Sequence, residues 1–338
     1  MQTVTWWCPR CRILHHPAWE TLALPPGTFT WAVGERAAHL GALLPSYARA
    51  TDSLAYLTGI SMSARELELC AEGLGASYTL PELSPSERGP RAEVLYVAAD
   101  AVQLHFRDAT PWHEEKVFGV WREVDGYAQP PRYWTADGPW DNHLAALQTL
   151  AEGEGLQTAR VVVELGDGAP PLWTLLTALA PQAVQILDWF HVQEHLARVA
   201  TLLPEGKAWH HIQRIHLRDG ASRLVLRELL TLARHAGVEA VREEARACLG
   251  YLWRHRTRLD YATARARGYP IGSGRIESAC KLVVQQRCKG PGMRWEHIQA
   301  EAVLHARCAW LNDDWRRACK LWRATGHFAP LQEMKAAA

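Results

Sequence analysis

Residues 159–190 read ARVVVELGDGAPPLWTLLTALAPQAVQILDWF. The run ending at Asp167-Gly168 has the length and apolar character of a buried strand. Pro171 then opens a leucine-rich segment, PLWTLLTALA, with the composition of a helix. AVQILDWF follows as a second apolar run. Strand, helix and strand in about thirty residues place this region in the α/β class.

Upstream, VLYVAAD (94–100), VQLHF (102–106) and KVFGVWREV (116–124) predict two or three strands in meander-like succession. DNHLAALQTLAEGEG predicts a helix capped by Asp141 or Asn142. Residues 35–74 predict three helices, ERAAHLGALL stopped by Pro45, YARATDSLAYL, and SARELELCAEGL. The short turn Thr58-Gly59-Ile60-Ser61 suits a helix-turn-helix over 47–74, or a helical hairpin used for packing. A polar linker, PELSPSERGPRAE (81–93), marks a boundary. Downstream, 192–268 is helical and rich in Arg. GYPIGSG (268–274) interrupts it, and RIESACKLVVQQRC starts a new amphipathic helix that ends at Lys289-Gly290.

The chain of 338 residues, with 48% hydrophobic and 22% charged residues, fits two or three folded units. This composition excludes fibrous, coiled-coil and disordered classes. No window approaches 18 uninterrupted apolar residues, so no transmembrane helix is expected. The start, MQTVTWWCPRCR, lacks the pattern of a secretory signal, and eight irregularly spaced Cys suit intracellular thiols. The net charge of +1 conceals a segregation. Residues 1–197 carry 12 Lys+Arg against 23 Asp+Glu, whereas 198–323 carry 24 against 12. An acidic front and an Arg-rich back suit a carboxylate site beside a nucleic-acid surface, or simply solvated helical faces.

Three carboxylates stand out. Asp100 and Asp167 close apolar runs, and Glu277 lies in the first turns of a helix behind Gly272-Ser273-Gly274. Acids gathered at strand ends repel one another unless a cation neutralises them, and oxygen-only ligation suits Mg²⁺ or Mn²⁺. Two such ions about 4 Å apart serve phosphodiester cleavage. Equally, an Asp before Gly caps turns, and a Glu in a first helical turn complements the helix dipole.

Further segments resemble a known family. They are Asp167-Gly168-Ala169, then Leu187-Asp188-Trp189-Phe190-His191 with Glu194-His195-Leu196. The longest is Ile271-Gly272-Ser273-Gly274-Arg275-Ile276-Glu277-Ser278-Ala279-Cys280-Lys281, continuing through Arg287-Cys288-Lys289-Gly290-Pro291-Gly292-Met293-Arg294-Trp295. Together they resemble ISKra-type bacterial insertion-sequence transposases, a DDE family with an RNase H-like core. The resemblance runs from the CPRC start to about Trp310 and is most specific over 272–295.

It implies an RNase H-like core at 90–192 and 269–325, interrupted by an all-helical insertion at 193–268. A helix-turn-helix-like DNA-binding region would occupy 31–85, and a zinc-knuckle-like segment 1–30. It implies cleavage and strand transfer at the terminal inverted repeats of a mobile element, with two Mg²⁺ or Mn²⁺ ions on Asp100, Asp167 and Glu277. Asp188 and His191 would form a supporting Asp-x-x-His motif. Asp188 is the rival for second acid, and Asp167 is preferred because it closes the strand after the first helix. A synaptic homo-oligomer and a cytoplasmic, nucleoid-associated location follow by analogy. Two features depart from the pattern: Ala101 stands where the family has Gly, and relatives carry further sequence before their CxxC.

Cys8 and Cys11 are half of a zinc site, with His15, His16 or Cys70 available to complete it; free thiols are the alternative. Cations for DNA contact are Arg254, Arg256, Arg258, Arg265, Arg267, Arg275, Lys281, Arg287, Lys289 and Arg294, with Trp253 and Trp295 as stacking indoles. His191-Val-Gln-Glu194-His195 also reads H-x-x-E-H, the pattern of a zinc metallopeptidase. A third reading is a DNA-binding remnant of a transposase without catalysis.

Overall fold

A computed structural model describes residues 6–15, 29–84, 89–107 and 111–326. The chain forms two compact units. The first comprises Met1–Thr79, Gln103–Glu114 and Leu282–Ala338, and the second Leu80–Val102 and Glu115–Lys281.

In the first unit a small antiparallel hairpin pairs β1 (Trp6–Cys8) with β2 (Ile13–His15). Three helices follow: α1 (Trp31–Leu43), α2 (Tyr47–Thr58) and α3 (Ala64–Ser77). Local signals set their ends. Ser46 caps α2 by accepting from Arg49 N–H, and Gly59, at φ 72°, ends it in the left-handed conformation. Ser63 and Glu66 form a capping box on α3.

Cys70, Ala71, Leu74 and their neighbours bury nearly all of α3 beyond its first turn. A Cβ on Gly75 would stand 1.7 Å from the Ala302 carbonyl oxygen, so this crossing requires glycine. This leaves mainly the first turn of α3, at Ala64 and Arg65, open to a partner.

The second unit is built on a mixed α/β sheet. β3 (Val94–His105) and β4 (Trp112–Val124) are long, and their outer ends belong to the first unit. β5 (Tyr127–Ala128) and β6 (Arg132–Asp137) both pair antiparallel with β4. Beyond β3 lie β7 (Val161–Gly166) and β8 (Val184–Leu187), each parallel to its neighbour. The order is β5-β4-β3-β7-β8, with β6 also on β4. Helices α4 (Leu144–Gly153) and α5 (Pro170–Leu179) pack against each other, with α4 touching β6 and α5 touching β7.

The sequence suggested two strands, 94–100 and 102–106; they are one, and Asp100 stands inside it. The aspartate interrupts hydrophobicity but not backbone pairing, which sequence pattern alone does not separate.

The helical stretch is as expected. It comprises α6 (Trp189–Thr201), α7 (Gly206–Arg218), α8 (Ser222–His235), α9 (Glu239–Arg254) and α10 (Tyr261–Ala266). After the GYPIGSG break, α11 (Gly274–Ala279) runs into a π-helical turn, Cys280–Gln285, and a last turn, α12 (Gln286–Cys288).

One boundary needs correction. α13 (His297–Leu311) and α14 (Trp315–Thr325) were expected in the catalytic core, but they pack on α1 and α3 in the first unit. Their small buried residues, Ala300, Ala302, Ala306 and Ala309, allow that close helix packing. No helix among the described residues is long and apolar enough to cross a membrane.

Candidate active site

The middle of β3 and the carboxyl ends of β7 and β8 bring three aspartates to one level. Ala98 is opposite Leu165, so two residues further Asp100 comes level with Asp167. Gly166 is opposite Leu187, so Asp167 comes level with Asp188. Neighbouring strands lie about 4.8 Å apart, and residues in parallel register point to the same face.

The environments of the three differ. Asp100 Oδ1 accepts from its neighbour Ala101 N–H at 2.7 Å, and Oδ2 faces the Cys280 thiol at 3.6 Å. Burial pushes its pKa up, the Ala101 bond opposes this, and the charge of Asp167 pushes it further up. Asp167 accepts from Ala169 N–H at 2.9 Å.

Asp188 is fully buried and accepts three hydrogen bonds. It caps α6 by accepting from the His191 N–H at 2.7 Å, and takes His191 Nδ1 at 2.9 Å. Its other oxygen accepts from Ser273 N–H. Burial alone would raise its pKa, but these bonds hold it below the usual range. The hydrogen bond to Asp188 in turn raises His191 to about 9. The two directions agree, as they must for an ion pair.

Glu277 joins this neighbourhood along α11. Ser273 donates its hydroxyl to Glu277 Oε1 at 3.0 Å, so Asp188 and Glu277 are linked through one serine. One turn after Glu277, Cys280 reaches Asp100. Among the described residues, however, no three His, Cys, Asp or Glu side chains are close enough to hold one ion together.

Two further features fix the strand ends. Trp173 donates its indole N–H to the Asp167 carbonyl at 2.6 Å. Gly168 lies against Tyr251, whose Cε2 would be 2.0 Å from an added Cβ, so a larger residue there would have to displace the Tyr251 ring. Sequence reasoning missed Tyr251, Cys280 and the bridging role of Ser273. Ser273 and Cys280 lay within the long motif, whereas nothing in the sequence marked Tyr251 apart from other helical aromatics.

The remaining candidates divide sharply by exposure. Arg254, Arg256, Arg265, Arg267, Arg275 and Lys281 are exposed in the second unit; Lys289 and Arg294 are exposed in the first. Arg256 lies over the exposed Trp253, and Arg275 over Trp121. Arg258 is half-buried over Trp173 and donates to Gln185 at 2.8 Å.

Two residues of the DNA-contact set are structural instead. Arg287 is 1% exposed, donates to the Gly41 carbonyl at 2.8 Å and lies between Tyr47 and Trp295. Trp295 is 8% exposed and donates to the Cys288 carbonyl, so it offers no face to a base. A planar cation and an indole can satisfy helix-end carbonyls as well as nucleic acid, and here they do.

Cys8 and Cys11 lie at the hairpin turn, where Cys11 N–H approaches Cys8 Sγ at 3.5 Å and lowers its pKa. Cys70 is buried in α3, and burial raises it to about 12, unlike a ligand thiolate. His16 and the side chain of His15 lie outside the described residues.

In the H-x-x-E-H segment the two δ nitrogens are engaged apart, His191 with Asp188 and His195 with the Arg198 guanidinium at 2.6 Å. Burial lowers His195 to about 4, and Glu194 is exposed. Comparison with family models and with curated proteins returns no match for this chain.

Proposed function

We propose that this chain is a DDE transposase that cleaves and joins DNA strands with the help of divalent cations, as its resemblance to ISKra-type transposases implies. The supporting observation is the level placement of Asp100 and Asp167 on adjacent parallel strands, with Glu277 nearby on α11. The strand order supports the reading too. Three antiparallel or meander strands followed by two parallel ones, β6-β4-β3-β7-β8, is the arrangement an RNase H-like core would have.

The donor set suits a hard cation, since all three groups offer carboxylate oxygens. The charge of Asp167 raises Asp100, a repulsion such an ion would relieve. Asp100 and Asp167 would hold Mg²⁺ or Mn²⁺, and Glu277 would have to come closer to complete the set, since no three such groups stand together among the described residues. The bound ions would supply Lewis-acid chemistry to a phosphodiester bond.

The protein's own contribution is positioning. Asp188 already accepts three hydrogen bonds and Asp167 fewer, which favours Asp167 as the second acid. Asp188 instead ties the start of α6 to the Ser273 loop, and Ser273 orients Glu277. The exposed cations Arg254, Arg256, Arg275, Lys281, Lys289 and Arg294 would bind the phosphate backbone, and that affinity would fall steeply with salt. Inverted repeats, target DNA, a synaptic homo-oligomer and a nucleoid location belong to this proposal, as does zinc on Cys8 and Cys11.

The metallopeptidase reading is disfavoured by the Arg198 cation at His195, which repels a metal ion at that nitrogen. The test is Mg²⁺-dependent cleavage of DNA carrying the repeats that flank the gene. Asp100→Asn, Asp167→Asn and Glu277→Gln should abolish it, and Glu194→Gln should not. Activity in the first three, with loss only in the last, would overturn the proposal.

A further inference from the structure

α8 and α9 form a helical hairpin with two apolar stripes on each helix. The first stripe closes the hairpin and packs it on its neighbours: Val225, Leu229 and Ala233 on α8, with Val241, Ala245, Cys248 and Leu252 on α9. Among the described residues the second stripe stays open, with only the Arg256 guanidinium over Trp253. Leu226 and Leu230 on α8, with Leu249, Gly250 and Trp253 on α9, line a groove of 740 Å³. Trp253 is 56% exposed and Leu230 36%. This groove is remote in sequence from the three acids, and the proposed catalysis makes no use of it.

The walls carry charge of one sign. Arg223, Arg227 and Arg246 line the groove, and among the described residues no carboxylate does. Arg246 reaches Glu239 at 3.5 Å. Arg223 and Arg227 are exposed and have no carboxylate partner among the described residues. They lie one helical turn apart, so their guanidiniums are about 6 Å apart along the rim. The complement is an apolar ridge flanked by carboxylates at the same spacing.

A third helix laid along an antiparallel pair presents such a ridge every three and four residues. From Arg223 to Leu230 the groove covers two helical turns, about 10 Å. Nucleic acid fits less well, because the floor is leucine and would face charged phosphates across apolar surface.

We propose that the α8–α9 groove docks an amphipathic helix of a partner protein whose apolar stripe is flanked by acidic residues. Leucine-type side chains of the partner would fill the groove over Gly250 and against Trp253. Glutamates four residues apart would pair with Arg223 and Arg227. The proposal does not rest on the transposase reading.

Gly250 supplies the test, because nothing lies within 4 Å of an added Cβ and leucine is the better helix former. Gly250→Leu should therefore fill the groove without lowering the melting temperature. The probe is a fluorescein-labelled synthetic helix of about 18 residues with one leucine stripe. It is made with Glu flanks and, separately, with Lys flanks, and titrated by anisotropy against the full chain.

The Glu-flanked probe should bind at least ten-fold more tightly than the Lys-flanked one. Gly250→Leu should weaken it at least ten-fold. The double variant Arg223→Glu, Arg227→Glu should reverse the order of the two probes. Equal affinity for both probes, or a dissociation constant unchanged by Gly250→Leu, would overturn the proposal. So would self-association in sedimentation, or binding of a single-stranded oligonucleotide, that Gly250→Leu abolishes while probe binding persists.

Discussion

Arg287 and Arg307 in the first unit and Asp100, Asp167 and Asp188 in the second differ in how their charges are satisfied. In the first unit Arg307 is 1% exposed and donates to the carbonyls of Val283, Leu282 and Ala42, while Arg287 holds Gly41. Each cation donates to backbone carbonyls of neighbouring helical segments. In the second unit Asp188 accepts three hydrogen bonds, but Asp100 and Asp167 take only near-neighbour N–H groups and a weak thiol donor, with each other across one strand spacing. A buried charge with several partners holds structure together. Two like charges with fewer partners, held side by side, weaken the fold unless something else binds them.

The sharpest way to break that comparison is to remove Arg307. Arg307→Ala leaves several buried carbonyls without donors and should cost about 3–5 kcal/mol in denaturant unfolding. A loss under about 1 kcal/mol would mean that the guanidinium is not structural. The paired variants of the second unit come next. Asp188→Asn removes a fully buried acceptor of three N–H donors and should cost about 1–3 kcal/mol. Asp167→Asn retains the Ala169 bond and loses a repulsion, so its stability should equal or exceed wild type while cleavage falls on the order of 10³-fold. If both variants destabilise equally, the distinction between Asp188 and the less bonded acids fails.

The pH dependence is a finer probe. His191 is raised to about 9 from an ordinary value near 6.5, so its stabilisation is complete below about pH 6.5 and is lost as pH rises through 9. The lowered pKa of Asp188 keeps its side of the pair ionised throughout that window. The stability difference between wild type and His191→Gln, measured without metal, should therefore shrink between about pH 6.5 and 9. A difference that grows across that window would contradict the ion pair. The smallest effect belongs to the surface. Arg256→Ala removes an exposed cation and should change stability by less than about 0.5 kcal/mol, while weakening DNA binding and its salt dependence.

Much of the second unit was legible in the sequence because its signals are local. The apolar runs within 159–168 and 183–190, the Pro-led helix and the GSG break all fell where elements are, whereas the runs at 94–100 and 102–106 form one strand. The level placement of Asp100, Asp167 and Asp188 was only half legible: each acid follows an apolar run, but register is a property of pairing between strands. The first unit was read less well. The capping box of α3 and the Gly59 turn fixed two helices correctly, yet a helix-turn-helix and a helical core have the same local signals. The burial of α3 comes from long-range packing, such as that of Gly75 on Ala302. Arg287 and Trp295 misled for a related reason, since a guanidinium or an indole suits helix-end carbonyls as well as DNA.

The central claim is that Asp100 and Asp167 form a cation site. Mn²⁺ binding to the purified full chain, followed by electron paramagnetic resonance, tests it without any DNA substrate. The expected result is saturable binding that Asp100→Asn and Asp167→Asn each weaken at least ten-fold, and that Glu194→Gln leaves unchanged. Binding that survives both aspartate substitutions, or that only Glu194→Gln removes, would contradict it.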